Sequence, residues 1–242
     1  MFFAPPGKLK RLGVVGLNQR NGDYISKLNR RSDYPKVDNK LITKQLAVSA
    51  GIAVPELYAV VETNHDAQRL ASLLAPYQDF VIKPAHGSGG EGIVVVDGRQ
   101  GKLFRKASGQ LVTLASLEHH VGNILSGMYS LGGQPDHAMI EYRVRFDPLF
   151  KDITFQGVPD IRTIVFKGYP VMAMVRLPTR TSDGKANLHQ GAVGAGINIA
   201  TGVTHHGVFN SLKIDHHPDT GHPIGGHAIP QWDVLLRLAV TN

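Results

Sequence analysis

An α+β fold is what the sequence predicts, and three observations predict it. Apolar β-branched runs and helix-period stretches follow one another in mixed order, without a regular strand–helix repeat. Residues 161–166 and 171–177 alternate around Lys167-Gly168-Tyr169-Pro170 and read as an antiparallel hairpin. The stretch FVIKPAHGSGGEGIVVV, residues 80–96, joins two apolar runs through a polar segment holding Gly87, Gly89, Gly90 and Gly92, which makes a strand, a pliable loop and a strand.

In chain order, residues 13–32 begin with a short apolar run and continue into a polar stretch with Asn18, Arg20 and Asn21. Asp38 reads as the N-cap of a helix over 39–50, with Leu41, Ile42, Leu46, Ala47 and Ala50 at helical spacing and Gly51 as its stop. A strand over 57–61 and a helix over 65–74 precede the glycine-rich stretch. After it, Asp97-Gly98 is a hairpin signal, residues 102–104 and 110–114 are short strands, and Leu117, Val121, Ile124 and Leu125 mark one face of a helix over 115–125. A break at 132–135 leads to a strand over 138–144, then the hairpin, and a glycine-spaced strand over 191–199. Residues 205–227 are loop-like and 229–240 open a helix.

With 242 residues the chain can bury a sizeable core, in one large or two modest domains. The absence of cysteine excludes disulfides and Cys-ligated zinc and suits the cytoplasm. There is no signal peptide and no apolar run of membrane-spanning length. The net charge of +7 points to an acidic partner. Its positive residues are dispersed, apart from Lys27, Arg30, Arg31 and Lys36, and no recognition motif or aromatic ladder accompanies them, which argues against nucleic acid.

Clustered glycines allow positive φ and close backbone approach, so successive N–H groups can turn toward a polyphosphate. Lys83 leaves its strand just ahead of them, where an ammonium faces the same anion. Neither a Walker loop nor a Rossmann fingerprint fits, because both require a helix after the glycines and a strand follows here. The stretch resembles the phosphate-covering loop of the ATP-grasp superfamily. With GVVGLNQRN, VDNKLITKQLAVSAGIAVPELY, ILSGMYSLGG, MIEYRV, GVPDIRTIVF and MAMVRLPTRTSDGKANLHQGAVGAGINIATG, the chain is similar to the alpha-L-glutamate ligase-like proteins.

That resemblance implies two α+β lobes with a nucleotide cleft between them: a short N-terminal segment 1–37, a small lobe 38–136 and part of a large lobe 137–242. It implies ATP and Mg2+ as cofactors and a carboxylate–amine ligase working through an acyl phosphate, with glutamate and a peptide or protein as substrates. A homo-oligomer is compatible with it. It places Lys40 and Lys83 on ATP phosphates, Gly87, Ser88, Gly89 and Gly90 over the terminal phosphates, and backbone near Glu141 and Tyr142 on adenine. Arg162, Arg176 and Asn187 take phosphate or substrate roles, and Lys185 stands where many relatives carry arginine. Asp160 and Arg162, two apart on a strand, share one face and suit a charge-assisted pair or a phosphate and a carboxylate. Arg180 reads equally as a surface salt bridge.

Two features stand apart. His205, His206, Asp215, His216, His217, His222 and His227 form a His-rich tract whose spacing repeats no known zinc site. The acidic strands that carry magnesium in the resembled ligases are expected beyond Asn242, which reads as a truncated chain with impaired turnover and no metal ligands of its own. A non-catalytic nucleotide-binding module is the alternative function.

Overall fold

The structure, a computed structural model, describes residues 4–87 and 89–241, with Leu131 by its backbone alone. The chain divides into two compact units, residues 1–46 and 47–242. In the first, short helices succeed one another from Pro6–Arg11 through Leu17–Gln19, a π-helical turn Arg20–Ile25 and Ser26–Leu28 to Tyr34–Asp38. Lys27 pairs with Asp23 at 3.0 Å and Lys36 with Asp33 at 2.6 Å, so two of the four clustered cations are locally balanced. Such exposed pairs stabilise by at most about 1 kcal/mol.

The helix Lys40–Ser49 is capped one residue later than the sequence suggests. Asn39 Oδ1 accepts from the amides of Leu41 at 2.9 Å and Ile42 at 3.4 Å, while Asp38 closes the preceding helix. Gly51 ends it as expected, at φ +71, with its amide on the Val48 carbonyl.

The second unit holds two antiparallel sheets. The first has the order β1-β6-β2-β3-β4-β5, from β1 (Leu57–Val61), β2 (Phe80–Pro84), β3 (Val94–Gln100), β4 (Leu103–Lys106), β5 (Leu111–Val112) and β6 (Ala138–Glu141). Its core sets Leu117, Val121 and Ile124 of the helix Leu114–Leu125, with Leu70 and Leu74, against Val61, Phe80, Ile82, Val96, Phe104 and Ile140. Each such side chain contributes about 1.5–3 kcal/mol on burial. The second sheet runs β11-β10-β9-β8-β7, from β7 (Asp160–Phe166), β8 (Tyr169–Leu177), β9 (Val193–Ile197), β10 (Thr204–Phe209) and β11 (Leu212–Ile214). Val175, Leu177, Val193, Ala195 and Ile197 face a separate core with Ile224, Ile229 and Trp232, the first residue of the helix Trp232–Thr241. Among the described residues no helix is long and apolar enough to cross a membrane.

Four local expectations change. The 65–74 helix is two, Asn64–Ala67 and Leu70–Leu74, the first closed by a reciprocal Thr63–Asp66 capping box. Asp97-Gly98 lies inside β3 rather than at a turn, because Asp97 accepts from Arg105 Nε across the strands at 2.8 Å and bare Gly98 makes room for that guanidinium. The strand of 138–144 stops at Glu141, where the chain turns toward the second sheet. The loop-like tract after 203 contains the β10–β11 hairpin, turned at Asn210 and Ser211 with φ of +48 and +66. Asn-Ser is a weaker signal for such a turn than Asn-Gly.

Candidate functional site

A cleft of about 1120 Å3 lies in the second unit, bounded by the glycine loop, by residues 143–146 and 156–158, by β7 and β8, and by residues 183–187. Its character follows from how each wall is held.

The near stem of the loop is fixed by a residue that the motif does not contain. Asp136, 3% exposed, accepts from the amide of His86 at 2.9 Å, from the amide of His137 at 2.7 Å and meets His86 Nδ1 at 2.7 Å. Three bonds fix the orientation of this buried carboxylate, and with it the near stem of the loop. Gly87 must be glycine, since a Cβ there would lie 2.2 Å from Pro84 Cγ. At the far stem Gly92, φ +71, rests on Tyr129, whose ring leaves no room for a Cβ. The Gly92 carbonyl is 2.9 Å from His120 Nε2. Burial pushes the His120 pKa down, so its imidazole is neutral and Nε2–H is the donor. Gly89 and Gly90, at φ +65 and +79, form the crown, and Asn187 Nδ2 donates to the Gly89 carbonyl at 3.3 Å. Ser88 lies outside the described residues.

The cations divide into committed and free. Asp160 stands opposite Arg176 in the β7–β8 register and takes a bidentate pair from it, with Nε to Oδ1 at 2.6 Å. That hydrogen bond raises the Arg176 pKa further and leaves the pair close to neutral. Arg162 shares the face of Asp160, as expected, but the ion pair is made across the sheet to Arg176. Arg143 and Arg145 both reach Asp79, at 3.3 and 3.2 Å. Among the described residues, Arg162 and Lys185 are the cleft-lining members of the expected site whose cationic groups have no side-chain partner.

Several expected site residues stand elsewhere. Lys83 and Glu141 form an ion pair with each other across β2 and β6, with side chains 20% and 5% exposed. β6 is paired on both sides, with β1 and with β2. The Tyr142 amide donates to the Glu56 carbonyl at 2.8 Å, and the backbone that lines the cleft begins one residue later, at Arg143. Lys40 belongs to the first unit, at the first position of its last helix. The cleft therefore gathers Gly89, Gly90, Arg162, Arg176, Lys185 and Asn187. It adds Tyr129, Arg143, Val144, Phe146 and Asp183, of which Tyr129 lies inside ILSGMYSLGG, Arg143 and Val144 inside MIEYRV, and Asp183 inside MAMVRLPTRTSDGKANLHQGAVGAGINIATG, without a site role having been assigned to them.

The segment that carries Lys185 and Asn187 is locked from behind. Thr179 Oγ1 donates to the Gly191 carbonyl at 2.6 Å, Ser182 Oγ donates to the Thr179 carbonyl, and a Cβ on Gly157 would meet the Gly184 carbonyl oxygen at 1.9 Å. From the His-rich tract comes one buried member, His217, 1% exposed. Its Nε2–H donates to the Pro178 carbonyl at 3.0 Å and its Nδ1 accepts from the Asp219 amide at 3.3 Å. Asp219 Oδ2 in turn accepts from the Arg180 amide at 2.7 Å. Among the described residues no three His, Asp or Glu side chains gather as metal ligands, in this tract or elsewhere.

Burial pushes the His217 pKa below 6.5, since a second ring proton would remove the acceptor for Asp219 and charge a buried ring. The unfolded chain binds that proton first, so the stabilising contribution is complete above pH 6.5 and is lost as pH falls toward the lowered folded value. Urea midpoints measured from pH 8 to pH 5 are expected to drop, and His217→Leu to flatten part of that slope. An identical slope in the variant would refute the assignment. His120 titrates in the same direction and accounts for a slope that persists in part.

The model of a family described as sugar-transfer associated ATP-grasp matches residues 19–242. No curated protein matches the chain.

Proposed function

Because the chain belongs to the sugar-transfer associated ATP-grasp family, whose fold binds ATP, we propose that it is a carboxylate–amine ligase with its nucleotide in the cleft of the second unit. The observation that carries this reading is the glycine crown facing two uncommitted cations, Arg162 and Lys185, across a single cavity. Amides of Gly89 and Gly90 and the ammonium of Lys185 suit the outer phosphates. Ile93, Val95, Val144 and Phe146 offer an apolar slot for adenine, with the backbone from Arg143 onward as its hydrogen-bonding edge. Lys83, Gly87, Ser88, Glu141 and Tyr142 complete the nucleotide site that the resemblance implies for the second unit, Glu141 and Lys83 by fixing the strand from which that edge departs.

In this reading a carboxylate held by Arg162 attacks the γ-phosphorus and the bond to the ADP oxygen breaks, which gives an acyl phosphate. An amine then attacks the carbonyl carbon, loses a proton to solvent and expels phosphate. ATP, carboxylate and amine thus yield ADP, phosphate and amide. Arg162 offsets the charge that develops on the transferred group. Arg176, neutralised by Asp160, orients the wall and Asn187 tethers the crown. Glutamate as the amine, and a peptide or protein carboxylate, are the substrates that the glutamate ligase-like resemblance suggests.

Among the described residues of the cleft, the magnesium that generally accompanies ATP in this fold finds no matching donor set. The carboxylates of the cleft are Glu91, Asp160 and Asp183, and Asp160 is held by Arg176. A saturable rise in unfolding temperature with ATP, about 2.7 kcal/mol of added stability at a hundred times Kd, is the expected result. No rise at millimolar ATP refutes a nucleotide site built by this chain.

A further inference from the structure

Beside the cleft, the second sheet carries the free guanidinium onto a strip of a different character. The register sets Asp160 opposite Arg176 and Arg176 opposite Gly194. It sets Arg162 opposite Met174 and Met174 opposite Gly196. Directly opposed residues share a face, as do residues two apart on one strand. This face is therefore the one that lines the cleft, the other being the core face of Ala173, Val175, Val193 and Ala195. One row further along, Ile164 lies opposite Met172, 37% and 58% exposed. Gly196 is exposed, and a Cβ there would meet only His205 Cδ2, at 3.9 Å. Across β7, β8, β9 and β10 the row thus reads guanidinium, thioether, bare backbone and imidazole.

From this we infer the class of carboxylate that the site takes: an extended monocarboxylate whose apolar body lies across Met174 and Gly196, with its carboxylate on Arg162 and its far end at His205. The inference rests on the ligase reading of the cleft. Charge complementarity fixes the polarity of the substrate, because Arg162 is the uncommitted cation where this row meets the cleft and Arg176 beside it is neutralised by Asp160. No second cation follows along the row before His205, so an acid with further carboxylates along its body would lie against thioether and glycine uncompensated. Strands about 4.8 Å apart make the row from β7 to β10 about 14 Å long, room for an acyl chain or for two to three extended residues. Methionine suits such a floor, since its flexible thioether adapts to the shape of the apolar body laid on it. An aliphatic acid and an apolar peptide C-terminus share this chemistry.

The test uses calorimetric titration of the full chain with saturating ATP. Octanoate and N-acetyl-trileucine represent the two sources, against acetate and N-acetyl-triglutamate. The expected result is that at least one apolar ligand binds tenfold or more tightly than its short or acidic counterpart. Gly196→Val, which places a β-favoured side chain on an exposed strand position, is expected to weaken that ligand at least tenfold while the chain stays folded by circular dichroism. Preference for octanoate alone identifies an acyl chain, and for trileucine alone a peptide. The proposal is overturned if neither apolar ligand binds tenfold more tightly than its counterpart, or if Gly196→Val leaves the affinity of the preferred ligand unchanged. Wild-type binding of ATP by itself is the separate criterion for the ligase reading, so the two ideas fail on different measurements.

Discussion

Arg162→Ala is expected to lower ATP-dependent turnover by about 10²- to 10³-fold, the loss typical when a preorganised donor to developing negative charge is removed. The reason for expecting so clean an effect is structural. Arg162 is exposed on β7 and engages no side chain among the described residues, so its removal leaves no partner stranded and changes stability by about 0.5 kcal/mol or less. Arg176→Ala, by contrast, strands Asp160 beside the cleft and mixes a stability loss into any kinetic loss. Steady-state rates and unfolding temperatures of both variants separate the two roles. Turnover in Arg162→Ala within threefold of the parent would remove this residue from the chemistry.

Lys83→Met is expected to destabilise the first sheet by about 3 kcal/mol, because removing one partner of a largely buried ion pair is strongly destabilising. Glu141 is the other partner, 4% exposed on a strand paired on both sides. The double variant Lys83→Met with Glu141→Gln is expected to recover part of the loss, since the second change removes the charge that Lys83 balances. Chemical denaturation of the two singles and the double measures the coupling. A double variant no more stable than Lys83→Met would show that the pair is incidental. The pairing also means that weak ATP binding by a Lys83 variant has two possible origins, and Glu141→Gln in the same background distinguishes them.

How far the sequence could be read depended on whether a feature is local. The run from Phe80 to Val96 announces two strands and a loop because β-branched residues and glycines carry that information within a few positions. The Lys167-Gly168 turn and the face of Leu117, Val121 and Ile124 are legible for the same reason. Asp136 is not. Its partner His86 lies fifty residues away, and neither residue belongs to a pattern that foretells the other. Lys83 is the instructive case. A lysine before a glycine loop suggests an anion, while the acid that it meets arrives on β6, brought alongside only by the order β1-β6-β2. Asn210-Ser211 was passed over because its turn needs left-handed backbone at two residues that rarely signal it. The His-rich tract held a different lesson, since one of its imidazoles is an interior hydrogen-bonding post and its neighbours His205 and His206 are exposed.

The two sheets of the second unit are each contiguous in sequence, β1 to β6 and then β7 to β11, with separate apolar cores. The covalent thread between them is a single stretch, residues 142–159, irregular except for the turn Pro148–Ile153. A rotation of one sheet against the other would be taken up by backbone dihedrals in that stretch, without bending a strand or slipping its register. Arg143 and Val144, which line the cleft, sit on that connecting stretch itself, whereas the glycine crown and Arg162 belong to the two sheets that it joins.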